Sequence, residues 1–260
     1  MRRRELIIAL GFATAWPIAA NAQPNCRDLR SELLLMQAEG IADKLAQFIK
    51  EMQSQVGWTT QLPSTEGSIE QRRLDAVRLL RQAPAITELS LLAQGKEFYK
   101  ASRLAMDVVG SGTDYSKEAK FTETVAKKIY YGPVYMRRES EPYMTLGMAG
   151  SRLAGVSVVE LNLKPMWDIV QQTKVGDHGV AYVVDAEGRV IAHPDFSVGK
   201  SLRDVSSLAQ VQEARTTPST GSVRMARDMN DQEVVVVYAR VAGPGWLVFV
   251  ELPIEEWTKN

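Results

Sequence analysis

A tight hairpin pattern in the second half of the chain limits the choice of fold more than any other segment. Residues 179–184 are apolar and rich in valine, residues 185–188 (Asp-Ala-Glu-Gly) have the composition of a tight turn, and residues 189–193 form a second mostly apolar run. Two such runs joined by so short a polar turn predict a pair of antiparallel strands. The chain is therefore expected to contain antiparallel sheet.

Helical and strand patterns surround this hairpin. Residues 29–55 carry apolar side chains every three to five positions without proline, which predicts a long helix, and residues 69–82 predict a second helix that ends before Pro84. Short strands are expected at residues 86–92, 97–104, 134–138, 143–149, 154–163, 221–227, 232–241 and 246–252. Helices are expected between them at residues 121–129, 165–173 and 202–215. Short antiparallel strands with interspersed helices predict an α+β fold.

The two sets of strands end with similar sequences, which indicates an internal repeat. Residues 159–167 and residues 250–257 both run from an apolar-Glu-Leu strand into the start of a helix that bears a tryptophan. A repeated ending of this kind favours duplication of one module. We therefore expect a signal peptide at residues 1–22, a helical stalk at 27–83, one module at 84–164 and a second at 165–257.

Residues 1–22 resemble a twin-arginine signal peptide. Three arginines follow Met1, residues 6–15 are apolar, and residues 20–22 (Ala-Asn-Ala) place small residues where a signal peptidase reads. The apolar run is interrupted by Pro17 and is shorter than the roughly 20 residues that span a membrane. The segment predicts export to the periplasm, with retention as an uncleaved anchor as the alternative.

Composition and motifs argue against several functions. The chain has 31 Lys and Arg against 31 Asp and Glu, and no basic stripe with interleaved aromatic residues indicates nucleic-acid binding. Cys26 is the only cysteine, so no intramolecular disulfide is expected. His178 and His193 are the only histidines, and neither has a third metal ligand or a nucleophile beside it in sequence. No catalytic motif is present, so we expect neither an enzyme nor a cofactor.

Residues 176–194 and the later run 199–202 resemble the membrane-proximal module of double Cache domains, and residues 155–163 resemble the strand that closes their membrane-distal module. The resemblance implies a long N-terminal helix with two stacked PAS-like modules. Members of this family are extracytoplasmic sensors of chemoreceptors, histidine kinases and nucleotide cyclases, and the distal module usually holds the ligand. The resemblance therefore implies a periplasmic sensor of an amino acid, a carboxylate or an amine.

The resemblance also points to candidate ligand-binding residues. In the amino-acid-binding members, an Arg, any residue, Trp and Tyr follow the helix, and an Asp lies on the closing strand. The matching positions here are Lys128, Tyr130, Tyr131 and Glu160. Lysine lacks the bidentate fork of arginine, and glutamate has a longer arm than aspartate.

Two more tyrosines complete the predicted pocket, since Tyr135 could supply a hydroxyl and an aromatic wall and Tyr143 could point into the same space. The alternative is that Tyr130 and Tyr135 pack as core while Lys128 is a solvated helix end. Residues 137–141 are expected to be a solvated hairpin turn, with a gate over the pocket as the alternative.

The sequence does not decide how the predicted sensor passes on its signal. In the family, a transmembrane helix usually follows the position of Asn260. We therefore expect either a sensor half of a longer kinase or cyclase that lacks its output domain, or a free-standing periplasmic binding protein that delivers a ligand to a membrane partner. An exported enzyme is the third class.

Overall fold

The computed structural model describes residues 26–60, 68–138, 141–150, 155–217 and 223–259. The predicted signal peptide at residues 1–22 lies outside them, as do residues 139–140 of the predicted turn at 137–141. Within these ranges, no helix combines the length and the apolar character that crossing a membrane requires.

The described residues form seven helices and twelve strands. The helices are α1 (Cys26–Thr60), α2 (Ile69–Gln82), α3 (Ala119–Lys127), α4 (Lys164–Gln171), α5 (Phe196–Lys200), α6 (Ala209–Thr216) and α7 (Ile254–Thr258). The strands are β1 (Ile86–Ala93), β2 (Lys96–Ser102), β3 (Val108–Val109), β4 (Ile129–Tyr131), β5 (Tyr135–Arg137), β6 (Glu141–Ala149), β7 (Val156–Asn162), β8 (Val180–Val184), β9 (Val190–Ala192), β10 (Arg224–Arg227), β11 (Glu233–Arg240) and β12 (Leu247–Pro253).

Helix α1 is a spine shared by two sheets. Its 35 residues contain no proline, and a rise of about 1.5 Å per residue gives a length of about 50 Å. One stripe of the helix is buried at helical spacing. This stripe comprises Leu34, Ala38, Ile41, Leu45, Ile49, Met52 and Val56. The helix contacts β6 and β7 in one sheet and β11 and β12 in the other, so both sheets pack on the same rod.

Replacement of Gly40 by alanine is expected to stabilise the protein. Gly40 is exposed within α1, and a Cβ atom there would meet no atom within 4 Å. Alanine loses less backbone entropy on folding, so the free energy of unfolding should rise by roughly 0.5–1 kcal/mol. Urea unfolding measures the change. Gly147→Ala is the contrasting variant and should destabilise, because its Cβ would lie 2.0 Å from Thr124 Oγ1.

Both sheets are antiparallel. The first sheet runs β3-β2-β1-β7-β6-β4, with β5 also paired to β6, and the second, written in the same direction, runs β9-β8-β12-β11-β10. The five strands from β2 to β4 in the first sheet therefore have the same order as the five strands of the second. In each sheet, the strand that begins the module lies beside the strand that ends it, β1 beside β7 and β8 beside β12. The predicted α+β arrangement of a long helix and two similar antiparallel modules is confirmed.

The first sheet has one apolar face and one divided face. Its apolar face is buried against α1 and α2, as alternation along each strand requires. This face includes Leu89, Leu91, Tyr99, Met144 and Leu146. At one end of the other face, α3 and the loop before it cover a small cluster of Leu92, Val156 and Val158. The rest of that face carries polar side chains.

Some short elements differ from the predicted ones. The helix expected at residues 121–129 ends at Lys127, because Lys128 adopts a left-handed backbone with φ 71° and β4 follows. The helix expected at 202–215 is confined to α6, because Asp204 accepts a hydrogen bond from the Ser206 amide at 2.8 Å and forms a turn there. Strands β3 and β4 and helix α5 were not expected.

Candidate functional site

The exposed part of the divided face forms a half-buried polar surface on the first sheet. Cross-strand pairing places its side chains on the same side, since Thr145 lies opposite Glu160 and Glu88 lies opposite Glu160 on its other edge. We call this surface the polar face. It is defined by Glu88, Lys100, Tyr130, Tyr135, Arg137, Tyr143, Thr145 and Glu160.

Glu160 is a carboxylate held by neutral donors. The Tyr135 hydroxyl donates to its Oε2 at 2.6 Å, and Thr145 Oγ1 donates to its Oε1 at 2.8 Å. Burial, together with the neighbouring Glu160 carboxylate, raises the pKa of Tyr135 above its usual value, so the phenol remains a donor. No lysine or arginine in the described ranges forms an ion pair with Glu160. Glu160 therefore takes part in no ion pair within the described part of the chain.

Glu88, directly across from Glu160, is in the opposite situation. Lys100 Nζ lies 2.9 Å from one of its oxygens, and Arg137 Nη2 lies 2.7 Å from the other. Burial acts to raise the pKa of Glu88, but the hydrogen bonds from Lys100 and Arg137 outweigh it and hold the pKa below its usual value. The three side chains together carry one net positive charge, beside the negative charge of Glu160.

The structure brings four of the six predicted site residues together. Tyr130, Tyr135, Tyr143 and Glu160 lie on the polar face, because Tyr130 pairs with Gly147 and Tyr135 pairs with Tyr143 along β6. The rings of Tyr135 and Tyr143 have centroids 6.1 Å apart. The Tyr143 hydroxyl is anchored by Glu141 at 3.2 Å, so its ring forms a fixed wall.

Lys128 and Tyr131 lie apart from this group. Tyr131 points to the other face of the sheet, where Gln53 of α1 donates to its hydroxyl and an open groove of about 870 Å³ lies between α1 and Gly243. Lys128 is exposed beyond the end of α3, and its ammonium has no partner among the described residues. Consecutive strand residues point to opposite faces, so Tyr130 and Tyr131 cannot both line one site.

Other polar-face residues were not predicted from the sequence. Arg137 was expected in a solvated turn, but it is half-buried and paired with Glu88. Lys100 and Thr145 were not singled out. Alternation of apolar and polar residues along the strand could have indicated Lys100, because it lies between the buried residues Tyr99 and Ala101.

Metal binding has no support in the described part of the chain, where no group of three or more His, Cys, Asp or Glu side chains is placed to hold an ion. The chemistry of the polar face is instead that of ion pairing and hydrogen bonding. It offers an anion, a cationic cluster and aromatic walls within one sheet surface, which suits recognition of a small charged molecule.

Comparison with known proteins agrees with this fold. A family model described as a Cache domain matches residues 19–260. The extracellular domain of a protein described as a histidine kinase, mmHK1S-Z2, has a TM-score of 0.72 at 14% identity, covering 89% of this chain and 100% of its own. No curated protein matches the chain in sequence.

Two chemoreceptor domains are also similar. The ligand-binding domain of the Pseudomonas aeruginosa PAO1 amino acid chemoreceptor PctC, in complex with GABA, has a TM-score of 0.63 at 15% identity, covering 85% of this chain and 99% of its own. The sensory domain of the Campylobacter jejuni chemoreceptor Tlp3 with isoleucine bound has a TM-score of 0.65 at 13% identity, covering 92% and 100%. At such identities these structures show a shared fold.

Proposed function

The chain belongs to the Cache domain family of extracytoplasmic sensor domains, and from this premise we propose that it binds an amino acid or a related small amine on the polar face. The observation that carries the proposal is that Glu160, which forms no ion pair with a described lysine or arginine, lies beside a cluster with surplus positive charge. Structural relatives of the same fold bind GABA and isoleucine, which are both zwitterions.

The polar face has the complementary groups for both ends of a zwitterion. The ligand ammonium would lie at Glu160, whose two oxygens have lone pairs beyond those used by Tyr135 and Thr145. The ligand carboxylate would lie toward Arg137, because the Arg137 guanidinium has five N–H donors and uses few of them in its contact with Glu88. The tyrosine rings offer further contact to the cationic end.

In the proposed role, the ligand selects one of two states of the first module and the change passes to a membrane-bound output partner. A ligand can shift such an equilibrium only through contacts that differ between the two states. Glu160 and Arg137 lie on different strands, β7 and β5, so a ligand that bridges them would favour the state with the shorter separation. The proposed location of the domain is the periplasm, as the signal peptide predicted at residues 1–22 implies.

The proposal is tested by Glu160→Gln, which keeps an oxygen acceptor for Tyr135 and removes the charge. Titration calorimetry with a set of amino acids and amines is expected to find a ligand for the wild type. The variant should bind it about 10- to 100-fold more weakly, because a charge-assisted hydrogen bond contributes about 1.5–3 kcal/mol. The exposed Glu39→Gln on α1 is the matched control and should bind normally. Equal affinity in wild type and Glu160→Gln would contradict the proposal.

A further inference from the structure

The internal repeat places a second glutamate where the first sheet has Glu160. Glu160 on β7 pairs with Glu88 of β1, and Glu251 on β12 pairs with Val180 of β8 in the same way. Each carboxylate accepts a hydrogen bond from a tyrosine at 2.6 Å, Glu160 from Tyr135 and Glu251 from Tyr182. We propose that the second module holds a separate ligand site, centred on Glu251, for a small primary ammonium compound.

A small polar cavity opens at Glu251. Its volume is about 170 Å³. Its polar lining consists of His178, His193, Asp228, Asn230, Gln232 and Glu251. The cavity is smaller than the roughly 300–1,000 Å³ of most metabolite pockets, so it suits a ligand of only a few heavy atoms.

The Glu251 carboxyl group is buried with one oxygen unused. The residue is 1% exposed, and its Oε1 accepts from Tyr182 at 2.6 Å and from Gln210 Nε2 at 3.4 Å. Among the described residues, Oε2 has no hydrogen-bond partner, although Glu251 lines the cavity. Oε2 is therefore the acceptor that a donor in the cavity, above all a cationic one, would bind.

The charges around the cavity favour a cation over an anion. Its lining includes the carboxylates of Glu251 and Asp228 and contains neither lysine nor arginine. Burial lowers the pKa of His193, which favours the neutral ring. Its Nδ1 accepts from the Asp195 amide at 2.9 Å, so the ring proton is on Nε2. The carboxylates attract an ammonium group and repel a carboxylate ligand.

A metal ion is the less suitable cation here. The described residues contain no cluster of three or more His, Cys, Asp or Glu side chains in a position to coordinate one. The donors from Tyr182 and Gln210 point at Oε1, so Glu251 offers Oε2 as a single acceptor. An ammonium group needs only such separate acceptors, each within hydrogen-bond distance of one N–H.

Binding at this site should strengthen as the pH rises. Burial raises the pKa of Glu251 to about 7, with a smaller contribution from Asp228, although hydrogen bonds from Tyr182 and Gln210 oppose the shift. Tyr182 is itself fully buried, which raises its pKa well above the usual value, so it remains a neutral donor. The ionised carboxylate that an ammonium requires is therefore better populated at about pH 8 than at about pH 6.

The experiment is titration calorimetry of the full chain with ethylammonium and ethanolammonium, and with acetate as an anion of similar size. We expect saturable binding of at least one amine, stronger at pH 8 than at pH 6, and no binding of acetate. Glu251→Gln keeps an oxygen acceptor for Tyr182 and Gln210 but should weaken amine binding at least about tenfold. Its folding is checked by circular dichroism and urea unfolding.

Glu39→Gln on α1 is the matched control, because Glu39 is exposed and lies outside both proposed sites. We expect it to bind the small amines like the wild type. Wild-type amine affinity in Glu251→Gln would overturn the proposal, as would the absence of saturable binding of both amines or preferential binding of acetate. The polar face is tested by Glu160→Gln, in which Glu251 is unchanged, so either proposal can fail alone.

Discussion

Replacement of Trp167 by alanine is expected to lower the free energy of unfolding by about 3–5 kcal/mol. Trp167 lies on α4, which links the two modules, and it is only 4% exposed. Its Nε1–H donates to the backbone carbonyl of Ile191 on β9, and its ring meets Phe196 edge to face at a centroid distance of 5.0 Å. Alanine would leave a cavity and a buried carbonyl without its donor, and both are costly.

Urea unfolding followed by circular dichroism measures this loss. Leu74→Ala is the control, because Leu74 is 65% exposed on α2 and its truncation should change stability by no more than about 0.5 kcal/mol. Trp167→Phe should lie between the wild type and alanine, since it keeps a ring and loses the N–H donor. A Trp167→Ala protein as stable as Leu74→Ala would show that the packing of α4 on β9 and α5 contributes little to stability.

Replacement of Glu251 by glutamine is expected to stabilise the protein at pH 8 by up to about 3 kcal/mol. The pKa of Glu251 is raised from 4.5 to about 7, mainly by burial. The folded state therefore binds more protons than the unfolded state between these values, and stability falls as the pH rises from about 4.5 to about 7. Glutamine remains neutral throughout and keeps an oxygen near Tyr182.

The comparison is made by urea unfolding of both proteins at several pH values between about 5 and 8. Near pH 5 the two should have similar stability, and the difference should grow through pH 7 and then level off. Adding an amine that binds at Glu251 should recover part of the difference in the wild type alone. Parallel pH profiles would show that Glu251 is not desolvated as the structure indicates.

The long and strongly patterned elements could be predicted from the sequence. Helix α1 and the hairpin of β8 and β9 have enough residues for a clear period. Strands β3 and β4 have two and three residues, which is too short for any periodicity to be recognised. Strand β4 also follows directly on α3, and the left-handed backbone at Lys128 that separates them is not a conformation that lysine usually indicates.

The residue types of the candidate site could be predicted from the sequence, but only some of the residues that form it could. Glu160 and Tyr130 were assigned through the family pattern, Tyr135 and Tyr143 were predicted as further pocket residues, and all four lie on one face. The pairing of Glu88 with Arg137 joins residues 49 positions apart, and it follows from the strand order, which the sequence does not specify. The run from Lys128 to Tyr131 looked like one motif, but strand alternation divides it between two faces.

Because α1 is one continuous rod against both sheets, it can also act as a lever. For a stiff helix of about 50 Å, a tilt of roughly 3° about one end moves the other end by roughly 2.5 Å. A ligand that rearranges the first sheet by only fractions of an ångström could therefore produce a displacement of several times that size at the far end of α1. The displacement at the far end is larger than the rearrangement in the sheet because the helix is long, and it needs no hinge within the helix.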